Sequence, residues 1–376
     1  MSLVIREANS NKDIKKFIDF AHDLHANDKN YVPEIYVAQR EFFDKKKYPF
    51  YEYGEAQCFL AYEDDKIVGR IAAIKNKRYN DYHNSNIGFF GFLEFIESKE
   101  VAQALLEKAG EWLSDENYDY LMGPTNFTTN ETSGFLVEGF DTPPMIMMAH
   151  NPSYYDGILK EIGLKKEMDM FAYMIYSEKA SDKSIKLSQM LEERLKRSNI
   201  TIRNLSLKNF KTEVKNIKEV YNEAWENNWG FVPFTDREFD HIASGLKMLA
   251  DEKFAYIAED DGKMIGFSIS VPNLNEITIN FKKGRLLPFN IFKILLNKKK
   301  LKTVRIMATG IKEAYRRKGI EAIFFAKNIL EARKRKLIGG EASWILESNQ
   351  EMVVSAEKLN GIKYKTYRLY NYPLKG

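Results

Sequence analysis

The stretch LAYEDDKIVGRIAAI, Leu60–Ile74, decides the fold, because a stretch of the same pattern, IAEDDGKMIGFSISV, recurs at Ile257–Val271. Each stretch places an acidic turn between two apolar, partly alternating runs, which is the pattern of a β-hairpin. The period of this recurrence is far too long for a solenoid, so it predicts two tandem domains. Three positions match without a gap: Ala61 with Ala258, Lys66 with Lys263 and Gly69 with Gly266.

Two further pairs of segments support the duplication. NDKNYVPE at Asn27–Glu34 is echoed by ENNWGFVPF at Glu226–Phe234, and LKEIGLKKEMDMFAYMI at Leu159–Ile175 is echoed by AEKLNGIKYKTYRLYNY at Ala356–Tyr372. Each half predicts helices, a hairpin, a further strand, an amphipathic helix, another strand, another helix and a terminal strand pair. That order is typical of a mixed α/β domain.

The segment between the two halves, Ser177–Asn199, is polar and carries apolar residues at helical spacing in its second part. It predicts a linker helix. We therefore expect an N-terminal domain at 1–177, a linker helix at 178–200 and a C-terminal domain at 201–376. A chain of 376 residues is long enough for two domains with cores of their own.

The composition excludes several classes of function. With 57 basic and 53 acidic residues the net charge is only +4, which does not indicate nucleic-acid binding. Cys58 is the only cysteine, so no disulfide framework is expected. The chain shows no secretory signal and no run of roughly 18 apolar residues, and we expect a cytoplasmic protein. The histidines show no metal-ligand spacing, predict no metal site and are interpreted as surface or satisfied core residues: His22, His25, His83, His150 and His241.

A basic, glycine-bearing turn, AYRRKGIEA at Ala314–Ala322, follows the strand-like run VRIMATGI. The N-terminus of a helix presents unpaired backbone N–H groups and about half a positive charge, which suits a pyrophosphate. Gly319 would let the oxygens approach the backbone without a Cβ in the way. The alternative interpretation is a solvated turn before a helix, since short motifs often match by chance.

The order of elements around this turn resembles the GNAT superfamily of acyl-CoA-dependent N-acyltransferases, and more closely the bacterial two-domain GNAT-like proteins. The family's loop pattern is Q/R-x-x-G-x-G/A, and here it reads Arg316-Arg317-Lys318-Gly319-Ile320-Glu321. The resemblance implies that Arg316, Arg317, Lys318, Gly319 and Ile320 hold the pyrophosphate of coenzyme A. It also implies that the amide near Ile311 points at the thioester. Glu321 departs from the pattern, because the family has Gly or Ala there.

A second part of the resemblance lies in SWILESNQEMVVSAEKLNGIKYKTYRLY, Ser343–Tyr370. It implies that Asn349 contacts the pantetheine arm. The family often has a tyrosine seven residues after that asparagine, which protonates the leaving thiolate, whereas this chain has Ala356. The acid is then another group, with Tyr367 as the first candidate and Tyr364, Tyr370 or water as alternatives.

Glu347 is the candidate general base. Alternation along a strand puts Ser343, Ile345 and Glu347 on one face, with Glu347 near the strand's end. A base of this kind would take the proton of the attacking amine. The alternative is a structural carboxylate that pairs with a lysine or caps the next helix.

The first half keeps the order of elements and loses the coenzyme pattern, because its corresponding loop, Ile96–Glu100, has two acids and no glycine. We interpret this half as a degenerate copy that shapes the acceptor site.

The segment Met122–Gly157 is dense in Asn, Thr, Gly, Pro and aromatic residues, which is typical of ordered loops. Its candidates for acceptor binding are Asn126, Asn130, Glu131 and Tyr154. The alternative is turn chemistry plus a buried strand that contains Met145, Met147 and Met148.

A basic insert at Lys282–Lys302 holds eight basic residues and no acidic residue around an apolar centre. Such a segment can lie on an anionic membrane. The favoured interpretation is that its apolar side packs on the domain.

The sequence therefore predicts a transferase that moves an acyl group from acyl-CoA, with acetyl-CoA as the expected co-substrate, to the amine of a small molecule or peptide. Two alternatives stay open: a coenzyme A sensor or scaffold without turnover, and an aminoacyl transferase that uses charged tRNA. A homo-oligomer is compatible with each of them.

Overall fold

The computed structural model describes residues 2–116 and 118–374 as a mixed α/β protein. Its strands are β1 (Leu3–Glu7), β2 (Gly54–Glu63), β3 (Lys66–Asn76), β4 (Gly88–Phe95), β5 (Tyr120–Gly123), β6 (Phe135–Glu138), β7 (Lys165–Tyr176), β8 (Ile200–Asn204), β9 (Ala255–Asp260), β10 (Lys263–Pro272), β11 (Thr303–Ile311), β12 (Gly339–Leu346) and β13 (Ile362–Pro373). Its helices are α1 (Asn11–Leu24), α2 (Tyr36–Phe42), α3 (Lys77–His83), α4 (Lys99–Leu113), α5 (Tyr155–Ile162), α6 (Asp182–Lys196), α7 (Phe210–Trp225), α8 (Asp236–Leu249), α9 (Asn275–Thr278), α10 (Asn290–Asn297), α11 (Ile320–Lys334) and α12 (Gln350–Lys358).

The two predicted hairpins are confirmed as β2–β3 and β9–β10. The first turn has φ of +43° at Asp64 and +67° at Asp65, and the second has +45° at Asp261 and +77° at Gly262. Positive φ at both central residues is the backbone of a two-residue hairpin turn, which aspartate and glycine adopt more readily than other residues. The acidic turns that marked the duplication are therefore required by the local geometry.

The chain divides into two compact units that are each built from several segments. Unit 1 comprises Met1–Asp169, Asn275–Lys298 and Lys365–Gly376, and unit 2 comprises Met170–Leu274 and Lys299–Tyr364. The linear domain limits proposed from the sequence stay a prediction. The segment expected to be a linker contains α6, which packs through Leu191 and Leu195 on the first residues of α11 within unit 2.

Unit 1 contains a sheet in the order β1-β2-β3-β4-β5-β13, with β6 paired to β13. All its neighbours are antiparallel except β4 and β5, which run parallel. Helix α4 covers one face of the sheet. Ser98 caps this helix, and its buried side follows the apolar spacing of VAQALLEKAGEWL. The core contains Phe59, Leu105 and Tyr370.

Unit 2 contains a sheet in the order β7-β12-β11-β10-β9-β8. Strands β11 and β12 are parallel, and the other neighbours are antiparallel. Helix α11 packs on this sheet with one core cluster around Phe325 and Ile329 and another around Ile323 and Phe324. Helix α11 is the next α-helix after β11, and residues 312–319 connect the two.

The last strand of each half pairs differently from the sequence prediction. Residues 366–373 of β13 pair with β6 and β5 in unit 1, although β13 is the last strand of the chain. Residues 170–176 of β7 pair with β12 in unit 2, although β7 ends the first half. The expected terminal strand pairs are therefore replaced by single long strands. The strand that ends the second half of the chain joins the sheet of unit 1, and the strand that ends the first half joins the sheet of unit 2.

Two local expectations are wrong. The stretch that contains Met145, Met147 and Met148 forms a turn rather than a buried strand, and the side chain of Met147 is exposed. The apolar side of the basic insert does not pack on the domain, because no residue of α10 is buried.

Candidate functional site

In unit 2 the parallel strands β11 and β12 separate part of the way along. Their pairing runs from Thr303 and Gly339 to Ile306 and Ala342 and then stops. Among the described residues, the last four residues of β11 pair only with β10, and Met307 before them lies at a β-bulge. Two parallel strands that part in this way leave a slot between them, and polar backbone groups of β11 line it.

The base of the slot is held by a buried polar cluster. Arg305 of β11 donates from Nε to Ser343 Oγ at 2.9 Å and from Nη2 to the Ser343 carbonyl at 3.3 Å. The carboxylate of Glu341 is fully buried and accepts from the hydroxyl groups of Ser343 and Tyr364, with Arg305 Nε at 3.8 Å. A buried charge pair with this many partners is expensive to break, so the cluster fixes where the two strands begin to part.

The N-terminus of α11 lies at the open end of the slot. Gly319 is its N-cap residue, with φ of +79°, and no side chain caps the helix in the described structure. The first backbone N–H groups of α11 are therefore available to an anion. The positive φ favours glycine at position 319, where a Cβ would lie 2.1 Å from Leu191 Cδ2 and would displace the end of that side chain.

Three cations precede Gly319 and differ in their contacts. Arg316 is fixed, because its Nη2 donates to the Ala224 carbonyl at 2.6 Å. Arg317 is 87% exposed and lies 3.4 Å from a carboxylate oxygen of Glu351, a contact that is weak in water. The ammonium of Lys318 lies 4.6 Å from the centre of the Tyr315 ring. Arg317 and Lys318 can therefore reorient toward a phosphate, whereas Arg316 supports the loop.

Glu321, which departs from the family pattern, is turned away from solvent in the first turn of α11. Burial raises the pKa of its carboxyl group to about 7, with a further rise from Glu351 and an opposing hydrogen bond from Ser355 of α12. Its Oε1 has no hydrogen-bond partner. At neutral pH the group is protonated in about half of the molecules, so it repels an anion less than an ordinary glutamate would.

The other residues expected to hold the coenzyme or the amine lie at the ends of elements of unit 2. Ile311 is the last residue of β11 and pairs with Gly266. Asn349 is the N-cap of α12 and accepts from the Met352 N–H at 3.2 Å. Glu347 lies half-buried in the turn after β12. The structure thus gives Asn349 a capping role, and Glu347 lies one residue beyond the strand.

The tyrosines considered as acids are all engaged in structure. Tyr367 is fully buried in β13 of unit 1, opposite Leu136 of β6. The Tyr370 hydroxyl donates to Asp156 at 2.7 Å, and the Tyr364 hydroxyl donates to Glu341. Ala356 is fully buried in the core of unit 2. The hydroxyl groups of Tyr364 and Tyr370 are therefore engaged with carboxylates, and Tyr367 is shielded by burial.

The corresponding slot of unit 1 is filled by the chain itself. Strands β4 and β5 pair at Gly88 and Phe89, and the chain then continues alongside β4. The Thr125 N–H donates to the Phe90 carbonyl at 2.9 Å, and the Phe92 N–H donates to Asn126 Oδ1 at 3.0 Å. A Cβ at Gly91 would lie 2.0 Å from the Thr125 carbonyl oxygen. No pantetheine arm can pass between strands that are bridged in this way.

Unit 1 instead has a polar cavity of about 720 Å³, its open side included, next to the end of β4. Glu94 lies in its wall and accepts from the Tyr155 hydroxyl at 2.7 Å, with His25 Nε2 at 3.2 Å and Arg70 Nη2 at 3.9 Å. Burial raises the pKa of Glu94, but His25, Arg70 and the Tyr155 hydroxyl outweigh it, so the net pKa is lowered. Glu94 is therefore ionised at neutral pH.

A hydrogen-bonded chain joins three further residues of the wall, Tyr31, Gln39 and Glu34, through His22 behind them. Burial, with a further contribution from Arg70, lowers the pKa of His22 to about 4, so its ring is uncharged at neutral pH. Tyr31 donates to His22 Nδ1 at 2.9 Å, His22 Nε2 donates to Gln39 at 3.1 Å, and Gln39 donates to Glu34 at 2.9 Å. Burial raises the pKa of Glu34. The cavity thus has two carboxyl groups and one guanidinium in its wall.

Of the residues expected to bind the acceptor, Asn126 lines this cavity. The other three are outside its described lining. Glu131 accepts from the Tyr48 hydroxyl, the backbone of Asn130 donates to Thr128 Oγ1, and Tyr154 donates to the Phe95 carbonyl at 2.6 Å. These contacts fix loops rather than present groups to a ligand.

The charged residues of the cavity were missed from the sequence. Arg70 and Glu94 sit in otherwise apolar strands, IVGRIAAI and GFFGFLEF, and a single charge in a buried strand is a signal that could have found them. His25 gives no such signal, because it lies 69 positions before Glu94 in the chain and meets it only in the folded protein.

The fold and the slot define the class of protein. A model of the acetyltransferase (GNAT) family matches residues 23–133. A tandem GNAT protein from the clavulanic acid biosynthesis pathway superposes with a TM-score of 0.57 at 9% identity, over 100% of this chain and 99% of that one. Identity this low shows the shared fold alone. The family resemblance, the α/β class and the two-domain likeness are thereby confirmed.

Two full-length relatives make the membership specific. Bacterial ceramide synthase of Caulobacter vibrioides (strain NA1000 / CB15N) is 32% identical over 372 residues, which cover 96% of this chain and 95% of the relative. Protein YghO of Escherichia coli (strain K12) is 32% identical over 374 residues, which cover 98% and 94%. The chain belongs to the GNAT acetyltransferase family, which is a family of acyltransferases.

Two absences bear on the site. Within residues 2–116 and 118–374, no group of three or more His, Cys, Asp or Glu side chains is arranged to hold a metal ion. In the same part of the chain, no helix combines the length and the apolar character needed to cross a bilayer.

Proposed function

We propose that this protein is an N-acyltransferase that transfers an acyl group from acyl-CoA to an amine, with the coenzyme bound in unit 2. The observation that carries the proposal is the slot between β11 and β12, which opens beside the uncapped N-terminus of α11 at Gly319. Unit 1 has the same strands, but its slot is filled by Thr125 and Asn126. The difference between the two copies favours donor binding in unit 2.

The residues around α11 fit a diphosphate. Backbone N–H groups after Gly319 supply hydrogen bonds, Arg317 and Lys318 supply mobile positive charge, and Arg316 holds the loop through the Ala224 carbonyl. Glycine suits this position because a larger residue would be strained at its positive φ and would displace the end of the Leu191 side chain. Leu191 also means that α6 forms one wall of the proposed site.

The coenzyme supplies an activated thioester, and the protein must supply the proton transfers and a polarised carbonyl. In the balanced reaction the amine nitrogen bonds to the acyl carbon, the carbon–sulfur bond breaks, and one proton passes from nitrogen to sulfur. We assign removal of the amine proton to Glu347, which is half-buried at the end of β12. The backbone N–H groups at the end of β11, near Ile311, are assigned to the carbonyl oxygen. Because Tyr367 is fully buried, protonation of sulfur is assigned to water.

The acceptor is proposed to be a long-chain amino alcohol whose polar head binds in the cavity of unit 1. A ceramide is the amide of such an amine, and the relative named bacterial ceramide synthase matches this chain over nearly its whole length. Ionised Glu94, Asn126 and the hydrogen-bonded chain from Tyr31 to Glu34 suit the hydroxyl groups of such a head.

The donor assignment is tested by titrating acyl-CoA of several chain lengths while following thermal unfolding and calorimetric heat. We expect the coenzyme to raise the melting temperature, because a ligand that binds only the folded state stabilises it. Arg317→Glu and Lys318→Glu should each weaken binding roughly tenfold or more, since each reverses a charge beside the diphosphate. Lys334→Glu, at the far end of α11, is the matched control and should bind like the wild type.

Two outcomes would count against the proposal in different ways. If no acyl-CoA stabilises the protein, the assigned function fails. If acyl-CoA binds but Arg317→Glu and Lys318→Glu bind it as tightly as Lys334→Glu does, the family assignment stands and the site lies elsewhere.

A further inference from the structure

Six large apolar side chains form an exposed surface at α10 and in the loop before it, which we name the apolar patch: Leu287, Phe289, Ile291, Phe292, Leu295 and Leu296. Each of them is between 40% and 77% exposed. Single exposed apolar residues are common, but a contiguous group of this size on a folded protein marks an interaction surface. The patch plays no part in the donor or acceptor sites proposed above.

The exposed residues of α10 form one face of the helix. Successive residues of an α-helix are about 100° apart, so Ile291, Phe292, Leu295 and Leu296 fall within an arc of about 140°. Lys293 lies beside this arc, about 60° from Leu296, and is exposed. The helix is therefore amphipathic with its apolar side outward.

The loop that leads into the patch is fixed on unit 1. A Cβ at Gly284 would lie 1.7 Å from the Glu34 carbonyl oxygen, so the backbone is pressed against the chain before α2. Lys283 pairs with Asp23 of α1, and the Arg285 guanidinium lies 3.4 Å from the centre of the Tyr36 ring. These contacts anchor the base of the loop, while the side chains of the patch point to solvent.

The charge of the segment Lys282–Lys302 favours one kind of binding partner for the apolar patch over another. Lys282–Lys302 contains eight basic residues and no acidic residue, and Lys282 and Lys293 are exposed next to the patch. A second copy of the chain on this face would bring two such basic segments together, which like-charge repulsion opposes. An anionic bilayer offers negative headgroups to the lysines and acyl chains to the apolar side chains.

We infer that the apolar patch and its flanking lysines bind the surface of an anionic lipid bilayer. The apolar side of α10 lies in the boundary between headgroups and acyl chains, in the plane of the membrane. Phe289, Phe292 and Leu296 enter the apolar region, and the lysines stay at the level of the phosphates. This surface property is independent of the acyl-transfer activity.

The test uses the full-length protein and vesicles in a flotation assay. We expect the wild type to float with vesicles rich in phosphatidylglycerol, to bind pure phosphatidylcholine at least tenfold more weakly, and to lose binding at high salt. Phe292→Ser with Leu296→Ser should lower the partition coefficient at least tenfold. Lys282→Glu with Lys293→Glu should lower it by a similar factor on anionic vesicles only.

The control is Met190→Ser with Met248→Ser, because both methionines are more than 70% exposed and lie outside the patch. All variants change exposed residues, so their melting temperatures should match the wild type. The proposal is overturned if the wild type does not bind anionic vesicles at low salt, or if the patch variant floats as well as the control. It is also overturned if the wild type sediments as a dimer that the patch variant dissolves, since the occupant would then be a second copy.

Discussion

The carboxyl group of Glu321 shows how one residue modifies a conserved type of site. Burial next to α12 raises its pKa to about 7, above the usual 4.5. The folded protein therefore holds this proton more tightly than the unfolded chain does. It follows that Glu321 lowers stability progressively as the pH rises from about 4.5 to about 7, and by a constant amount above that range.

Replacement by glutamine removes this cost. Glu321→Gln is expected to increase the free energy of unfolding by about 1–3 kcal/mol at pH 8 and by much less near pH 5. Urea unfolding of both proteins at the two pH values measures the difference. Glu351→Gln is the control, since its side chain is 68% exposed and its charge is screened by water. An equal gain at pH 5 and pH 8 would show that the carboxyl group is not buried as described.

Comparing the sequence predictions with the structure shows which properties of single residues a sequence can predict. Gly319 was predicted from its position before a helix, because the requirement for glycine there is local and depends on backbone conformation. The relation of His25 to Glu94 depends on how α1 packs on β4, and no short pattern encodes it. Glu347 was predicted to lie on the strand, and it follows the strand by one residue because β12 ends at Leu346.

At the scale of elements, the hairpins and the helices α4 and α11 were predicted correctly because their patterns are complete within one stretch of chain. The partners of β7 and β13 were not, since strand pairing between distant segments leaves no mark in the periodicity of either strand. Both strands are apolar enough to be buried in either sheet. Only the folded structure decides which sheet each strand joins.

Hydrogen exchange can test the exchanged strands with two matched variants. Tyr370→Ala removes a fully buried ring of β13 and its bond to Asp156, which should cost roughly 3 kcal/mol. We expect faster exchange in β5 and α5 of unit 1, with β9 and β10 unchanged. Tyr173→Ala removes a buried ring of β7 and should speed exchange in β12 and α12 of unit 2, with β2 and β3 unchanged. The opposite pattern would show that each strand belongs to its own half of the chain.

At the scale of the whole molecule, the two units differ at corresponding places in their sheets. Unit 2 keeps an open slot and a glycine at the helix N-terminus, and unit 1 fills its slot with Thr125 and Asn126 while it gains a charged cavity. A chain that needed only one coenzyme site could change the second copy freely. The proposed division into donor and acceptor binding follows from this difference.

Turnover separates an enzyme from a sensor that has kept the coenzyme site. With an acyl-CoA and a long-chain amino alcohol as substrates, we expect one free thiol and one amide per cycle. Thiol titration measures the first product, and mass spectrometry measures the second. The reaction should proceed without tRNA. Binding of acyl-CoA with no thiol release from any amine would support the sensor, and an absolute need for charged tRNA would support the aminoacyl transferase.

The two carboxylates should affect the kinetics in different ways, because one is assigned to chemistry and the other to binding. Glu347→Gln is expected to lower kcat by roughly a hundredfold, with little change in KM for the amine. Glu94→Gln is expected to raise KM for the amine by roughly tenfold or more, since it removes a charge-assisted bond to a hydroxyl group of the acceptor, and to leave the affinity for acyl-CoA unchanged. The substitution also removes the carboxylate charge next to Arg70, which can destabilise the protein. Thermal unfolding of Glu94→Gln therefore serves as the control for loss of folded protein. If Glu94→Gln lowers kcat and Glu347→Gln is fully active, the base is Glu94 and the chemistry belongs to unit 1.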